Sequence, residues 1–280
     1  MTAGTLLGMT AFVTGGSKGM GFNTARLLVR DGASVVIMGR RSEVLEAARH
    51  ELLQEAPDAV VKIAVGDAGN EEDVRRGLEA AYAVHGRLDM VAATIGTSNF
   101  RPLLMHTTAT MLEDFERNTL SAFLAIRFGA PLMKEGGAIC CVSSSAGVEP
   151  MKYLASYCTA KGGLEQLVRT AALELASAKI RVNAIRPGLT RSEATERSLL
   201  NDAETLRRYL DRIPFARPGE SHEVAAGIRF LLGPESAFVT GQSLAIDGGL
   251  ELASQPDLSH IVERTYGAKA LEAARAGREF

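Results

Sequence analysis

Short apolar runs alternate with longer amphipathic stretches along this chain, almost as far as residue 250. The apolar runs predict buried strands, and the stretches with apolar residues three or four positions apart predict helices. Strands are expected at 9–13, 34–38, 60–65, 88–93, 138–142, 180–185 and 243–246. Helices are expected at 20–30, 43–54, 71–85, 107–133, 154–176 and 221–232, with a further helical insertion at 193–212.

This alternation predicts an α/β fold with a parallel sheet and helices on both faces, because each strand–helix–strand crossover is right-handed. Neither a Pro/Gly/Ser-rich linker nor an internal repeat interrupts it, so residues 1–250 are expected to form a single domain. Residues 251–280 are polar with Ala-rich patches and predict a partly helical C-terminal extension. Two roles stay open for this extension: a loosely packed surface tail, or a helix that covers a substrate pocket of its own or a neighbouring subunit.

Composition and charge narrow the classes of protein that fit. Hydrophobic residues make up 46% and the formal net charge is -2, so nothing favours binding to nucleic acid or an anionic membrane. No apolar tract reaches the roughly 18 residues of a membrane span, and the N-terminus lacks an export signal. Cys140, Cys141 and Cys158 form neither a disulfide framework nor a metal pattern, and the five histidines are scattered. We therefore expect a cytoplasmic protein without a metal.

A glycine-rich loop, TGGSKGMG at residues 14–21, lies between the first strand and the first helix. Glycines there allow a sharp turn and a close approach to a pyrophosphate, whose charge the helix N-terminus stabilises. The spacing is G-x-x-x-G-x-G, which differs from the common dinucleotide fingerprint G-x-G-x-x-G. We predict a dinucleotide site here, with contacts from Gly15, Ser17, Lys18, Gly19, Met20 and Gly21.

Cations follow the second strand, at the position where a site for NAD usually carries an acid that binds the ribose 2′-OH. Arg40 and Arg41 stand there, and Lys18 belongs to the nearby glycine loop. This cluster suits a 2′-phosphate, so NADP(H) is predicted as the cofactor in preference to NAD(H). The alternative is that Arg40 and Arg41 only cap the start of the next helix.

Asp67 follows the third strand, where a carboxylate could accept a hydrogen bond from the adenine amino group. A second interpretation is almost as strong, since an aspartate before Gly69 and Asn70 is also typical of a turn.

Residues 138–161 combine an apolar strand, three serines and the start of a helix that carries Tyr157 and Lys161. Residues four apart share one helix face, so the phenol and the ammonium group are expected to lie together. A neighbouring cation favours the phenolate, which would lower the pKa of Tyr157 and suit it to proton transfer. A Tyr-x-x-x-Lys pattern alone also fits a solvated lysine beside a half-buried tyrosine.

In this order, the motifs resemble those of the short-chain dehydrogenase/reductase family, over roughly residues 6–250. The resemblance is to its shorter single-domain branch, similar to 3-oxoacyl-carrier-protein reductase-like members. Ser144 lies thirteen residues before Tyr157 (157 − 144) and Lys161 lies four after it (161 − 157). The other matches are the loop at 14–21, Asn118, NAIRPG at 183–188, TGQ at 240–242 and DGG at 247–249.

The resemblance implies a Rossmann-type doubly wound sheet of about seven strands and a catalytic tetrad of Asn118, Ser144, Tyr157 and Lys161. Tyr157 would be the general acid or base and Lys161 would lower its pKa and bind the nicotinamide ribose. Ser144, selected over Ser143 and Ser145 by spacing, would polarise the substrate oxygen, and Asn118 would hold a water linking Lys161 to solvent. Further cofactor contacts are implied for Ala68, Gly96, Pro187, Gly188 and Thr190, besides Tyr157 and Lys161. The resemblance also implies a homotetramer.

The chain departs from the family at residues 93–96, which read Ala-Thr-Ile-Gly where the family usually has Asn-Asn-Ala-Gly. The asparagines of the family stabilise the central sheet and line the cofactor cleft, so packing and nicotinamide-ribose contacts are put in doubt here. Gly96 is retained.

The expected activity is NADP(H)-dependent interconversion of a ketone and a secondary alcohol on a hydrophobic small molecule. A 3-oxoacyl thioester, a steroid, a quinone or a xenobiotic carbonyl would all fit. The insertion at 193–212 would be a mobile substrate lid over an apolar pocket near Met151, Tyr153, Leu154 and Leu189. The alternatives are a catalytically silent NADP-binding regulator, which typically loses the Tyr or Lys, and non-redox chemistry, which usually accompanies a longer C-terminal region.

Overall fold

Seven parallel strands form one sheet in the order β3-β2-β1-β4-β5-β6-β7. The structure is a computed structural model that describes residues 5–253 and 257–279, without the side chains of Ala194, Arg197 and Ser198. The strands are β1 Thr10–Thr14, β2 Ser34–Gly39, β3 Val61–Val65, β4 Met90–Ala93, β5 Gly137–Val142, β6 Ile180–Pro187 and β7 Ser243–Ile246.

Helices cover both faces of this sheet. They are α1 Gly19–Arg30, α2 Ser42–Glu55, α3 Glu71–His85, α4 Thr108–Phe115, α5 Ser121–Gly129, α6 Ala155–Leu175, α7 Glu193–Thr195, α8 Ala203–Leu210, α9 Ser221–Leu232, α10 Ser259–Tyr266 and α11 Ala268–Arg275. Apolar residues of α1, α2 and α9 form one core with the sheet. Apolar residues of α3, α5 and α6 form the other. The predicted doubly wound α/β fold is confirmed.

The central strands are apolar without interruption because both of their faces are buried. All five residues of β1 are buried, and its successive side chains enter opposite cores, Phe12 on the α3 side and Val13 on the α1 side. Strand order reverses between β1 and β4, which opens a crevice at the carboxyl ends of these strands. This crevice is where a ligand site is expected.

The predicted helix at 107–133 is interrupted. A π-helical turn, Glu116–Leu120, separates α4 from α5, and a 3₁₀ turn at Ala130–Leu132 ends the segment. The apolar period runs on through the π turn, so sequence alone gave no reason to divide the helix there. Such turns are frequent at functional sites, and this one carries Asn118.

The predicted insertion at 193–212 contains α7, a second π turn at Glu196–Leu200 and α8. The C-terminal extension contains α10 and α11, while its residues 254–256 and 280 lie outside the described part. Across residues 5–253 and 257–279, none of the helices combines the length and apolarity that a bilayer crossing requires.

Candidate active site

The glycine loop forms a cradle between β1 and α1. Gly15 and Gly19 have φ angles of 66° and 56°, a region that side chains disfavour. A Cβ atom at Gly21 would lie 2.4 Å from the carbonyl oxygen of Gly15, so only glycine fits there. The first turn of α1 has no acidic residue, and Lys18, which precedes it, makes no side-chain cap hydrogen bond. The free N–H groups of this turn suit an anion such as a pyrophosphate.

Thr94 joins this loop to β4 at the position where the family usually has asparagine. Its hydroxyl donates to the carbonyl oxygen of Thr14 at 2.5 Å, and its backbone N–H donates to the Thr14 hydroxyl at 3.1 Å. The Thr94 oxygen would also lie 2.7 Å from a Cβ atom at Gly21. The departure at residues 93–96 therefore keeps β1, β4 and the glycine loop tied together.

Three cations border the cleft that the glycine loop opens (the glycine-loop cleft), but they are not equivalent. Arg40 and Arg41 are exposed, and within the described residues neither guanidinium group forms an ion pair. Arg41 precedes α2 without a side-chain hydrogen bond to the helix end. The Nζ of Lys18 lies 2.6 Å from a carboxylate oxygen of Glu193 in α7, with both side chains about half exposed. A cofactor phosphate would have to compete with Glu193 for Lys18.

Asp67 makes the turn that the second interpretation foresaw. Its Oδ1 accepts from the backbone N–H of Gly69 at 2.9 Å, while its own N–H donates to Asp73. Asp67 and the buried Ala68 also line the glycine-loop cleft.

Ser144, Tyr157 and Lys161 line one cavity. Tyr157 and Lys161 lie one turn apart on α6, with Nζ of Lys161 5.8 Å from the centroid of the Tyr157 ring. Lys161 is 1% exposed, and its Nζ donates to the carbonyl oxygen of Val142 at 2.8 Å. Ser144 is partly exposed at the end of β5, whereas Ser143 and Ser145 are buried. All three serines line the cavity, and Ser144 is the most exposed of them, so its selection by spacing stays a prediction.

The predicted direction of the Tyr157 pKa is wrong for this structure. Burial raises the pKa of Tyr157, and hydrogen bonding with Ser144 offsets this effect only in part. Negative charge on Cys158, Asp114 and Tyr209 would raise it further. Burial also lowers the pKa of Lys161 to about 8. The sequence showed the spacing of the pair but not its desolvation.

Asn118 holds the loop after β4 against Lys161. Its Nδ2 donates to the carbonyl oxygens of Thr97 and Asp114 at 2.9 and 2.8 Å, and its Oδ1 accepts from the Thr97 N–H at 3.1 Å. A Cβ atom at Gly96 would lie 2.9 Å from both Asn118 Oδ1 and Lys161 Nζ. Gly96 therefore permits the close approach of the loop to the two polar side chains.

The end of β6 meets the segment after β7. The Gly188 N–H donates to Ile246 at 3.1 Å, and a Cβ atom at Gly188 would lie 2.9 Å from Cα of Asp247. The Thr190 hydroxyl donates to the Gly188 carbonyl oxygen at 3.1 Å. Pro187, Gly188 and Thr190 line the same cavity as Tyr157, and the two C-terminal motifs are thus packed together beside it.

The cavity around Tyr157 has a volume of about 250 Å³ and adjoins the glycine-loop cleft of about 610 Å³. Its apolar lining consists of Met20, Phe100, Val142, Met151, Leu154, Pro187, Leu189, Leu199 and Leu250. Contrary to expectation, Tyr153 does not line the cavity. Its backbone has a φ angle of 68°, and the residue is 60% exposed to solvent. Tyr209 of α8 lines the cavity instead, and no local pattern in the sequence marks this residue.

Comparison with known proteins shows which family the chain resembles. The sequence model of a family described as enoyl-(acyl carrier protein) reductase matches residues 15–251. Glucose 1-dehydrogenase of Gluconobacter oxydans (strain 621H) is 35% identical over 252 residues, covering 88% of this chain and 92% of that protein.

Two solved structures share the fold. A short-chain type dehydrogenase/reductase from Mycobacterium ulcerans has a TM-score of 0.85 at 32% identity, covering 95% of this chain and 98% of that one. An NADPH-bound short-chain oxidoreductase from Pseudomonas aeruginosa PAO1, described as containing an atypical catalytic center, has a TM-score of 0.80 at 30% identity. That match covers 86% of this chain and 96% of the other. The chain therefore belongs to the short-chain dehydrogenase/reductase family of oxidoreductases.

Proposed function

We propose that this protein is an NADP(H)-dependent oxidoreductase that interconverts a ketone and a secondary alcohol on a hydrophobic small molecule. The observation that carries the proposal is the placement of Ser144, Tyr157 and Lys161 in one cavity that adjoins the glycine-loop cleft. We propose Asn118, Ser144, Tyr157 and Lys161 as the catalytic residues.

Tyr157 is the proton donor for carbonyl reduction. A raised pKa keeps its phenol protonated at neutral pH, which is the form that a general acid needs. Ser144 faces the same cavity and donates a hydrogen bond to the developing alkoxide. A nicotinamide cofactor, when bound, supplies the hydride. Asn118 and Gly96 keep the loop after β4 at Lys161, which helps to hold the cation beside the phenol.

Several features support NADP(H) over NAD(H). The residues directly after β2, 40–42, include no acid, and the exposed Arg40 and Arg41 border the cleft that the glycine loop opens. Arginine can hold a 2′-phosphate with two parallel hydrogen bonds. An NADPH-bound relative of the same fold is in line with this preference. We propose Gly15, Ser17, Lys18, Gly19, Met20, Gly21, Arg40, Arg41, Asp67, Ala68, Gly96, Tyr157, Lys161, Pro187, Gly188 and Thr190 as the cofactor contacts.

The lining of the cavity supports a hydrophobic substrate. Among the described residues that line it, Lys161 is the one charged side chain. The Gluconobacter relative is named for a sugar substrate, glucose. A test of this chain should therefore include polar, sugar-derived carbonyls as well as apolar ketones. The alternative function, a silent NADP-binding regulator, is disfavoured because Tyr157 and Lys161 share the cavity with Ser144.

Three further expectations belong to this proposal. Residues 1–250 form the catalytic domain, the enzyme assembles as a homotetramer, and it works in the cytoplasm, where the three free cysteines would stay reduced. Light scattering that gave a monomer mass would refute the tetramer.

The proposal is tested by following NADPH and NADH oxidation with a panel of steroid, quinone, 3-oxoacyl thioester and sugar-derived carbonyls. We expect turnover with NADPH on at least one apolar ketone, and a lower kcat/KM with NADH. NADPH binding without oxidation on any carbonyl would contradict the proposed activity and favour the regulator.

A further inference from the structure

A buried carboxylate beside the catalytic helix has no part in the chemistry described so far. Asp114 lies in the last turn of α4 and is 2% exposed. Its Oδ2 accepts a short hydrogen bond from the Ser156 hydroxyl. Among the described residues, its Oδ1 is buried without a hydrogen-bond partner. A carboxylate in such a place is costly to bury, so its presence calls for a physical reason.

Asp114 contacts two parts of the candidate tetrad. Ser156, its side-chain partner, directly precedes Tyr157 in the first turn of α6. The backbone carbonyl oxygen of Asp114 accepts a hydrogen bond of 2.8 Å from Nδ2 of Asn118, which lies in the π turn. The same residue therefore fixes the start of the catalytic helix with its side chain and the asparagine amide with its backbone.

Asp114 places a buried carboxyl group beside the first turn of the helix that carries Tyr157. Within the described part of the chain, its Oδ2 receives the Ser156 proton, while its Oδ1 has no hydrogen-bond partner. A buried negative charge near a phenol opposes its ionisation, because both charges share a medium of low dielectric constant.

We propose that Asp114 is a positioning residue of the active site, whose buried carboxylate holds Ser156 and whose charge keeps the neighbouring Tyr157 in its protonated, proton-donating form. This inference deepens the proposed function and rests on Tyr157 being its general acid. Neither the family motifs nor the spacing of the tetrad includes Asp114.

Other groups that face Tyr157 act on it as well. Lys161 lies on its own helix, Ser144 at the end of β5 and Tyr209 on α8, while Cys158 is its neighbour in sequence. Asp114 differs from these groups because it is a buried acid on another element, α4. Its charge can be removed with little change of shape by Asp114→Asn.

The test is a titration of tyrosinate absorbance in wild type and Asp114→Asn, each read against the same protein with Tyr157→Phe. With the charge removed, we expect the Tyr157 midpoint to fall by on the order of half a pH unit or more. The alkaline limb of ketone reduction should move to lower pH by the same amount, with the NADPH KM unchanged. The titration needs no turnover, so it tests this inference even if no ketone is reduced.

The control is Glu113→Gln, which removes an exposed charge from the neighbouring position of the same helix. It should leave the Tyr157 midpoint in place. Ser156→Ala keeps the carboxylate and should not lower the midpoint either. If Asp114→Asn does not fold, Asp114→Val removes the same charge and should give the same fall. A midpoint that stays at the wild-type value in the folded variant would overturn the inference.

Discussion

Thr94 shows at the scale of one residue how a departure from a family pattern can keep its physical purpose. Its hydroxyl and backbone N–H make reciprocal hydrogen bonds with Thr14, across the parallel pair of β1 and β4. The oxygen also packs against Gly21 of the cradle. The sequence showed only that two asparagines were missing, because the replacement bonds depend on the register of two strands that lie about 80 residues apart.

Thr94→Val removes the hydroxyl but keeps the shape of the side chain. We expect a loss of about 1 kcal/mol in the free energy of unfolding, since the Thr14 carbonyl oxygen loses a donor. Because the glycine loop is then held less firmly, the Kd for NADPH should rise three- to tenfold, on the order of 1 kcal/mol. Urea unfolding and NADPH fluorescence titration measure the two effects.

The matched control is Thr10→Val at the other end of β1, where the threonine hydroxyl is buried and has no hydrogen-bond partner among the described residues. This change removes an unsatisfied polar group, so stability should hold or rise and the Kd for NADPH should stay the same. Equal effects of the two variants would mean that the hydrogen bonds of Thr94 do not support the loop.

Residue spacing was a good guide to which side chains meet, and a poor guide to their electrostatics. Tyr157 and Lys161 lie one turn apart on α6, as the helix period requires, and Ser144 after β5 lines the same cavity. The direction of the Tyr157 pKa is opposite to the prediction, because burial, its main cause, is a tertiary effect.

At the scale of elements, helix α6 contains both Tyr157 and Lys161, and Lys161 lies on its buried face. Lys161 is enclosed with an acid one turn later, Glu165, whose Oε1 accepts from Ser243 at 2.9 Å. Burial lowers the pKa of Lys161 from 10.5 to about 8, and Cys141 and Glu165 counter this only in part. The folded protein thus holds a lysine that loses its proton more readily than in the unfolded chain.

This shift makes stability depend on pH with a definite sign. Below pH 8 both states hold the proton and the folded state bears the full penalty. Between about pH 8 and 10.5 the unfolded chain binds more protons, so stability rises with pH. The Lys161→Met variant should lack this rise. Between pH 7 and pH 10, the free energy of unfolding of wild type should increase by about 2 kcal/mol relative to that of the variant.

Urea unfolding at a series of pH values measures this gain. Lys62→Met serves as the control, because Lys62 is exposed on β3 and its removal should leave the pH dependence as in wild type. If the curves for wild type and Lys161→Met run parallel from pH 7 to pH 10, Lys161 does not titrate in this window.

At the scale of the whole molecule, the parallel sheet brings together residues from across the sequence. The glycine loop after β1, the segment after β4, Ser144 after β5 and Pro187 at the end of β6 all reach the same edge. The alternation of apolar and polar segments was enough to predict this edge, since carboxyl ends of parallel strands share it.

Contacts between elements that are distant in the sequence were not predicted from the sequence. The Lys18–Glu193 ion pair joins the cradle to α7, Tyr209 enters the cavity from α8, and Asp114 reaches Ser156 from α4. None of these residues lies in a periodic or spaced motif with its partner. These contacts depend on how whole helices pack against the sheet.

The central claim is that Tyr157 gives its proton to a carbonyl in this cavity. Tyr157→Phe removes only the hydroxyl, so the most direct measurement is kcat for NADPH-dependent ketone reduction, with the Kd for NADPH measured alongside. We expect kcat to fall by a factor of about 10² to 10⁴, the range for loss of a general acid. The Kd for NADPH should change less than threefold, about 0.6 kcal/mol. Turnover close to that of wild type in Tyr157→Phe would contradict the account.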